Sequence, residues 1–261
     1  MIEAPASVVC GGSAGIGLAA AVRLAAGEGR VAVLGRRADR IDSALEEVRG
    51  AGASDVVGIV VDATDDDQVA AAFGELKERW GAVNALVNAV GPAGGGRFDD
   101  LDDAAWQLAF DQGVLTAVRC IRHALPLLRA ARWARIVNVT AVSTKHQSPG
   151  LIAYTASKAA LASMTKNLAR SLAPEGILVN AVAPGPVLTG GIKRAVQAAG
   201  GDGDDARDAY RVMAEQYGAH VDLLRVAEPS EVAAVIAFCA SEANTYMTGG
   251  HLNVDGGSDF C

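Results

Sequence analysis

The sequence predicts an α/β fold, a single Rossmann-type doubly wound domain over residues 1–261 with a parallel sheet covered by helices on both faces. Three observations lead there. Short runs of Val, Ile and Leu alternate with longer helical patterns, and strands that are apolar on both faces belong to buried parallel sheets. The first run passes through a glycine-rich turn into a helix, the local context of a phosphate-binding loop. The 261 residues are 51% hydrophobic with 30 glycines, enough for one sizeable core, and show no internal repeat and no linker.

Taken in order, seven runs read as strands: Ser7 to Cys10, Arg30 to Leu34, Val56 to Val61, Ala85 to Asn88, Arg135 to Thr140, Leu178 to Val182 and His251 to Val254. Helical patterns separate them: Ile16 to Ala26, Ala38 to Arg49, Asp66 to Trp80, Asp102 to Phe110, Val114 to Ala130, Ala153 to Leu172 and Ser230 to Cys239. Residues 192–220 have no clear pattern. They read as a variable cover over a site, with Val196, Tyr210, Val212, Met213 and Tyr217 as candidate pocket lining.

Charge and cysteine usage narrow the function class. A net charge of −7 argues against nucleic acid or an anionic membrane as partner. No apolar run reaches the roughly 20 residues that span a bilayer. Met1 to Pro5 lacks the basic and apolar regions of a signal peptide. Cys10, Cys120, Cys239 and Cys261 have no paired spacing and read as free thiols of a cytoplasmic protein. Asp202, Asp204, Asp205 and Asp208 lack the spacing of a calcium loop and read as a solvated turn, so no metal is expected.

Two stretches carry chemistry. In Gly11-Gly12-Ser13-Ala14-Gly15-Ile16-Gly17, glycines permit positive φ and close backbone approach, and the helix N-terminus offers N–H groups to phosphates. In Tyr154-Thr155-Ala156-Ser157-Lys158, a phenol and an ammonium lie one helical turn apart on one face. A nearby cation favours the phenolate, which suits a tyrosine to proton transfer with a substrate oxygen. A third stretch, Val33-Leu34-Gly35-Arg36-Arg37, ends a strand without the carboxylate that accepts the ribose 2′-OH of NAD, and two arginines follow. A guanidinium can fork onto a 2′-phosphate, so NADP(H) is expected over NAD(H), with Arg36 as main contact and Arg37 beside it.

Together these motifs resemble the short-chain dehydrogenase/reductase family over nearly the whole chain. Asp62 sits where that family binds adenine. Asn88-Ala89-Val90-Gly91 resembles its Asn-Asn-Ala-Gly turn, Val179 to Gly185 with Thr189 its nicotinamide-carboxamide segment, and Val254-Asp255-Gly256-Gly257 its closing strand. The resemblance implies seven parallel strands, a nicotinamide cofactor and hydride transfer between an alcohol and a carbonyl. It implies Tyr154 as acid/base, and Lys158 as the group that holds the nicotinamide ribose and depresses the Tyr154 pKa. Cofactor contacts are expected from Gly11, Ser13, Gly15, Ile16, Gly17, Asp62, Asn88, Tyr154, Lys158, Pro184, Gly185, Val187 and Thr189.

The chain departs from the family twice. The serine thirteen residues before the tyrosine is Ala141 here, and the asparagine of the long helix is Gly113. Gly113 either leaves a wider, water-filled gap or marks a break between Phe110 and Val114. Alternate strand residues face opposite ways, so Thr140 points away from the direction Ala141 takes, while Ser143 shares its parity. Ser143 is the expected substitute, and His146 on the same loop is the other donor. Two further readings stay open: an NAD-dependent alcohol or diol dehydrogenase, and a dinucleotide-binding protein of little turnover. The partner expected is a small carbonyl or alcohol substrate. The family's helix pairing implies a homotetramer, built on the long helix and on Ala156, Ala159, Ala160, Leu161, Met164 and Leu168, with residues 251–261 at a second interface.

Overall fold

The computed structural model describes residues 4–92, 95–145 and 147–259, and the backbone but not the side chains of Gln216 and Tyr217. Seven parallel strands form one sheet: β1 (Ala6–Cys10), β2 (Arg30–Gly35), β3 (Asp55–Val60), β4 (Ala85–Asn88), β5 (Ala134–Val139), β6 (Ile177–Pro184) and β7 (His251–Val254). Their order is β3-β2-β1-β4-β5-β6-β7. The order reverses between β1 and β4, where Val9 is level with Val87, and ligands bind outside the strand ends at such a crevice.

Both faces are covered because successive strand residues point opposite ways. Val8 faces a core with Phe73 and Leu76 of α3 (Asp66–Trp80), Ile121 of α5 (Thr116–Ala130), and Ala169 and Leu172 of α6 (Ile152–Leu172). Val9 faces the other core, with Ala20 and Ala21 of α1 (Gly15–Ala25), Ile41 of α2 (Ala38–Gly50) and Ile236 of α9 (Pro229–Cys239). The predicted strands and helices therefore form, with ends displaced by a residue or two.

The long helix differs from expectation. α4 (Asp103–Phe110) runs into α5 without a stop, through one π turn over Asp111–Leu115. The local break expected at Gly113 is this widened turn. Residues 192–220 also carry structure that the sequence pattern did not reveal, α7 (Gly190–Ala198) and α8 (Ala206–Tyr217). Asp205 caps α8, accepting from the Arg207 and Asp208 N–H groups, so one member of the acidic run closes a helix end. Cys10 and Cys120 are buried in sulfur–sulfur contact at 3.4 Å as free thiols. Among the described residues no helix is long and apolar enough to cross a membrane.

Candidate active site

The glycine loop joins β1 to α1 at the switch point. Gly11 has φ +79°, and a Cβ at Gly17 would lie 2.1 Å from the Gly11 carbonyl oxygen, so the turn closes only with glycine at both. Beside it is a cavity of about 210 Å³ lined by Gly11, Ser13, Gly35, Arg36, Asp62 and their neighbours. Asp62 accepts from the Thr64 N–H at 3.0 Å and hydroxyl at 2.8 Å, and these bonds hold its carboxyl below the usual range. A Cβ at Gly35 would fall 2.8 Å from Ser13 Oγ, so the serine hydroxyl occupies the place of a larger side chain. The glycine cradle and this cavity fit a dinucleotide.

Two expected cofactor contacts are placed elsewhere. Arg37 is exposed and paired with Asp39, donating through Nε at 3.1 Å, because the start of α2 brings that carboxylate to it. Asn88 is buried within the sheet. Its amide donates to Asn138 Oδ1 at 2.8 Å, and Asn138 donates to Thr165 at 2.9 Å, tying β4, β5 and α6 together. The backbone after it, Ala89 to Gly91, faces the cavities instead.

A larger cleft of about 740 Å³ adjoins the loop. Tyr154 and Lys158 line it from the first turns of α6, joined by Ile16, Pro184, Gly185, Val187 and Thr189. Gly15 faces the outer groove between α1 and α7. The Lys158 ammonium is buried and donates to the Val139 carbonyl at 2.8 Å and the Val90 carbonyl at 3.3 Å. Burial pulls its pKa down to about 8. The expected depression of the Tyr154 pKa is not found. Burial raises it, because taking the phenolate out of water disfavours the charged form.

The missing serine leaves a defined arrangement. Ala141 lines the cleft. The Thr140 hydroxyl is engaged with the Val182 carbonyl at 3.1 Å and His251 Nε2 at 2.9 Å. Ser143 sits on a single 3₁₀ turn, Val142–Thr144, lines the cleft, and its buried Oγ has no hydrogen-bond partner among the described residues. His146 lies outside the described residues. A wider gap at Gly113 is not present: a Cβ there would meet Ser157 Oγ at 2.4 Å. Ser157 holds that position by donating to the Tyr154 carbonyl at 2.7 Å.

The cover over the cleft also differs. Of the expected lining residues only Met213 is placed in the cleft, with Ile192, Ala219 and His220 beside it. Val196 and Val212 build a small core of their own with Leu188, Ala209 and Val226, against which Tyr210 packs. The Tyr217 side chain is outside the described residues. Ser258, near the chain end, lines the cleft as well, and nothing in its sequence context marks it.

With this geometry in hand, comparison with known proteins gives the family. A family model described as enoyl-(acyl carrier protein) reductase matches residues 11–259. The chain belongs to the short-chain dehydrogenase/reductase family, and it is an oxidoreductase. It is 34% identical to the uncharacterized oxidoreductase YvrD of Bacillus subtilis (strain 168), over 96% of this chain and 94% of that one. L-Sorbose reductase from Gluconobacter frateurii, solved with NADPH and L-sorbose, superposes with a TM-score of 0.90 at 27% identity, covering 98% and 97% of the two chains. An NADPH-bound short chain oxidoreductase from Pseudomonas aeruginosa PAO1, described as containing an atypical catalytic center, gives 0.91 at 28% identity and the same coverage.

The crowding at Gly113 yields a prediction. Restoring the family residue by Gly113→Asn destabilises the protein by about 1–3 kcal/mol in urea melts, since the new Cβ overlaps the Ser157 hydroxyl. Adding Ser157→Ala recovers part of that loss. A Gly113→Asn protein as stable as the parent contradicts the steric account.

Proposed function

We propose that the protein is an NADPH-dependent reductase of uncharged ketones, moving hydride between NADP(H) and a ketone or secondary alcohol. One observation carries this reading: the buried, unpartnered Ser143 hydroxyl lines the same cleft as Tyr154. When bound, the nicotinamide supplies or accepts the hydride. Tyr154 carries its proton at neutral pH, as any phenol near its usual pKa does and as burial further favours, and so has one to give to the oxygen of a ketone under reduction. Ser143 donates to that oxygen and polarises it, the role the family serine has at Ala141. Lys158 uses two of its three donors on Val139 and Val90, leaving one for a ribose hydroxyl.

The cleft walls support the substrate class. Val142, Pro149, Leu151, Pro186, Ile192 and Met213 line it. Among the described residues lining it there is no carboxylate or guanidinium, and its one ammonium is tied to backbone carbonyls. An apolar body carrying one carbonyl suits such walls. Residues 192–220 act as the lid. NADP(H) is favoured because Arg36 lines the cavity beside Ser13 and Asp62, where Gly35 offers no carboxylate, and two structural neighbours were solved with NADPH. Free thiols at Cys10, Cys120 and Cys239 agree with a cytoplasmic setting.

A homotetramer is part of the same proposal, built on the expected long helix rather than on Leu161, Met164 and Leu168. Leu161 is buried in the monomer's own core, with Met164 and Leu168 packed against that core. Leu108, Phe110 and Leu115, on the long helix and its π turn, are instead exposed, as are Phe238 and Tyr246 in the segment before β7. Large apolar side chains left exposed on the long helix suit isologous contacts. Sedimentation at micromolar concentration is expected to show a tetramer, and a monomeric mass contradicts it.

Kinetics test the chemistry. With NADPH, an alicyclic ketone is expected to be reduced with a higher kcat/KM than L-sorbose. Ser143→Ala lowers kcat by at least about tenfold with little change in cofactor binding. If Ser143→Ala has no effect while Ala141→Ser raises kcat, Ser143 has no such role; if neither matters and no ketone is reduced, the protein is a binder of little turnover. Arg36→Ala raises KM for NADPH by about tenfold and leaves KM for NADH nearly unchanged. Equal efficiency with both cofactors, insensitive to that substitution, refutes the cofactor assignment.

A further inference from the structure

The Ser143 turn is short, and its own bonds are few. Thr144 donates to the Ala141 carbonyl through both its N–H at 3.2 Å and its hydroxyl at 2.9 Å, and the Lys145 N–H donates to the Val142 carbonyl at 2.9 Å. One 3₁₀ turn is marginal by itself, so its position in the cleft depends on what fastens its ends. The leading end is fastened through Thr140 to β6 and to His251 of β7. The trailing end is fastened by an ion pair across the chain: Lys145 Nζ lies 3.3 Å from Asp259 Oδ2.

Asp259 is an unusual carboxylate. Its side chain is only 2% exposed, against 38% for Lys145. Burying a carboxylate costs free energy unless partners offset it. The structure supplies partners of two kinds. Asn253 on β7 donates to Asp259 Oδ2 at 2.8 Å and also reaches Asp255 Oδ2 at 3.3 Å, while Lys145 brings the countercharge. The intervening tail is itself folded, with the Gly257 N–H donating to Asp255 Oδ1 at 3.1 Å and the Ser258 hydroxyl donating to the Asp255 carbonyl at 2.8 Å. Ser258 and Ser143 line the same cleft. The tail thus links the edge strand to the turn that faces the substrate.

We propose that Asp259 is a positioning residue, which fixes the Val142–Thr144 turn through Lys145 and so keeps Ser143 Oγ in the cleft with Tyr154. The kinetic part rests on the role given to Ser143 above, and the conformational part does not. The test uses the full chain carrying Asp259→Asn or Lys145→Met, with Lys145→Arg as the conservative control. Hydrogen exchange of the peptide containing Ser143 is expected to speed up by about tenfold in the first two and to stay near the parent rate in the control. Peptides from the Gly11 to Gly17 loop keep their rates. With a ketone that the parent enzyme reduces, kcat/KM for that ketone falls by about tenfold in the first two variants while KM for NADPH is unchanged, and combining the two adds little further loss. Unchanged exchange at the Ser143 peptide overturns the proposal. So does exchange that rises equally across the whole chain, which would make the pair a general stabiliser. Faster exchange confined to that turn, in a protein that reduces no ketone, supports the latch and overturns only the function assigned above.

Discussion

The burial of the Lys158 ammonium against two strand ends organises this molecule. Its donors meet the Val139 carbonyl at the end of β5 and the Val90 carbonyl just beyond β4. A charged group in that position is tolerable only while both carbonyls face it, and the lowered pKa shows that even so the burial is costly. The contact sets the rotation of α6 about its axis, and with it the side on which Tyr154 emerges. A second fastening, from Asn88 through Asn138 to Thr165, fixes the same helix two turns further on. The cleft is therefore a consequence of how α6 is pinned to the sheet.

The remaining site parts hang on this frame with decreasing rigidity. The glycine loop is closed by backbone contact, since only glycine fits at Gly11 and Gly17. The Val142–Thr144 turn is held by side-chain bonds at its two ends. α7 and α8 share a small core around Val196 and Val212, separate from the two cores that flank the sheet. A rigid cofactor side and a more loosely joined substrate side suit a fold in which one chemistry serves different substrates.

Much of this was legible in the sequence because it rests on periodicity and on residues with one physical use. The strands are apolar runs, the loop needs glycines, and Tyr154 and Lys158 share a helix face. The losses have physical causes too. Arg37 was misplaced because its partner, Asp39, competes locally for the guanidinium. Asn88 was misplaced because a polar residue inside a sheet can serve another buried amide as readily as a ligand. At Gly113 the sequence showed a missing side chain but not that Ser157 had taken its space. α7 and α8 are amphipathic but short, nine and twelve residues, and the glycines at 200, 201 and 203 break the pattern between them. The tail contact of Asp259 joins positions 114 residues apart from Lys145, a distance at which pairing leaves no local pattern.

The packing of Gly35 against Ser13 bears on how this chain can change over evolutionary time. A side chain at Gly35 meets the Ser13 hydroxyl at 2.8 Å, so an aspartate cannot simply be added there. The serine hydroxyl has to turn away before a carboxylate there can reach a ribose. The two positions are thus coupled: what a side chain at position 35 costs depends on what stands at position 13. Drift toward the other dinucleotide therefore involves the phosphate loop as well as the end of β2.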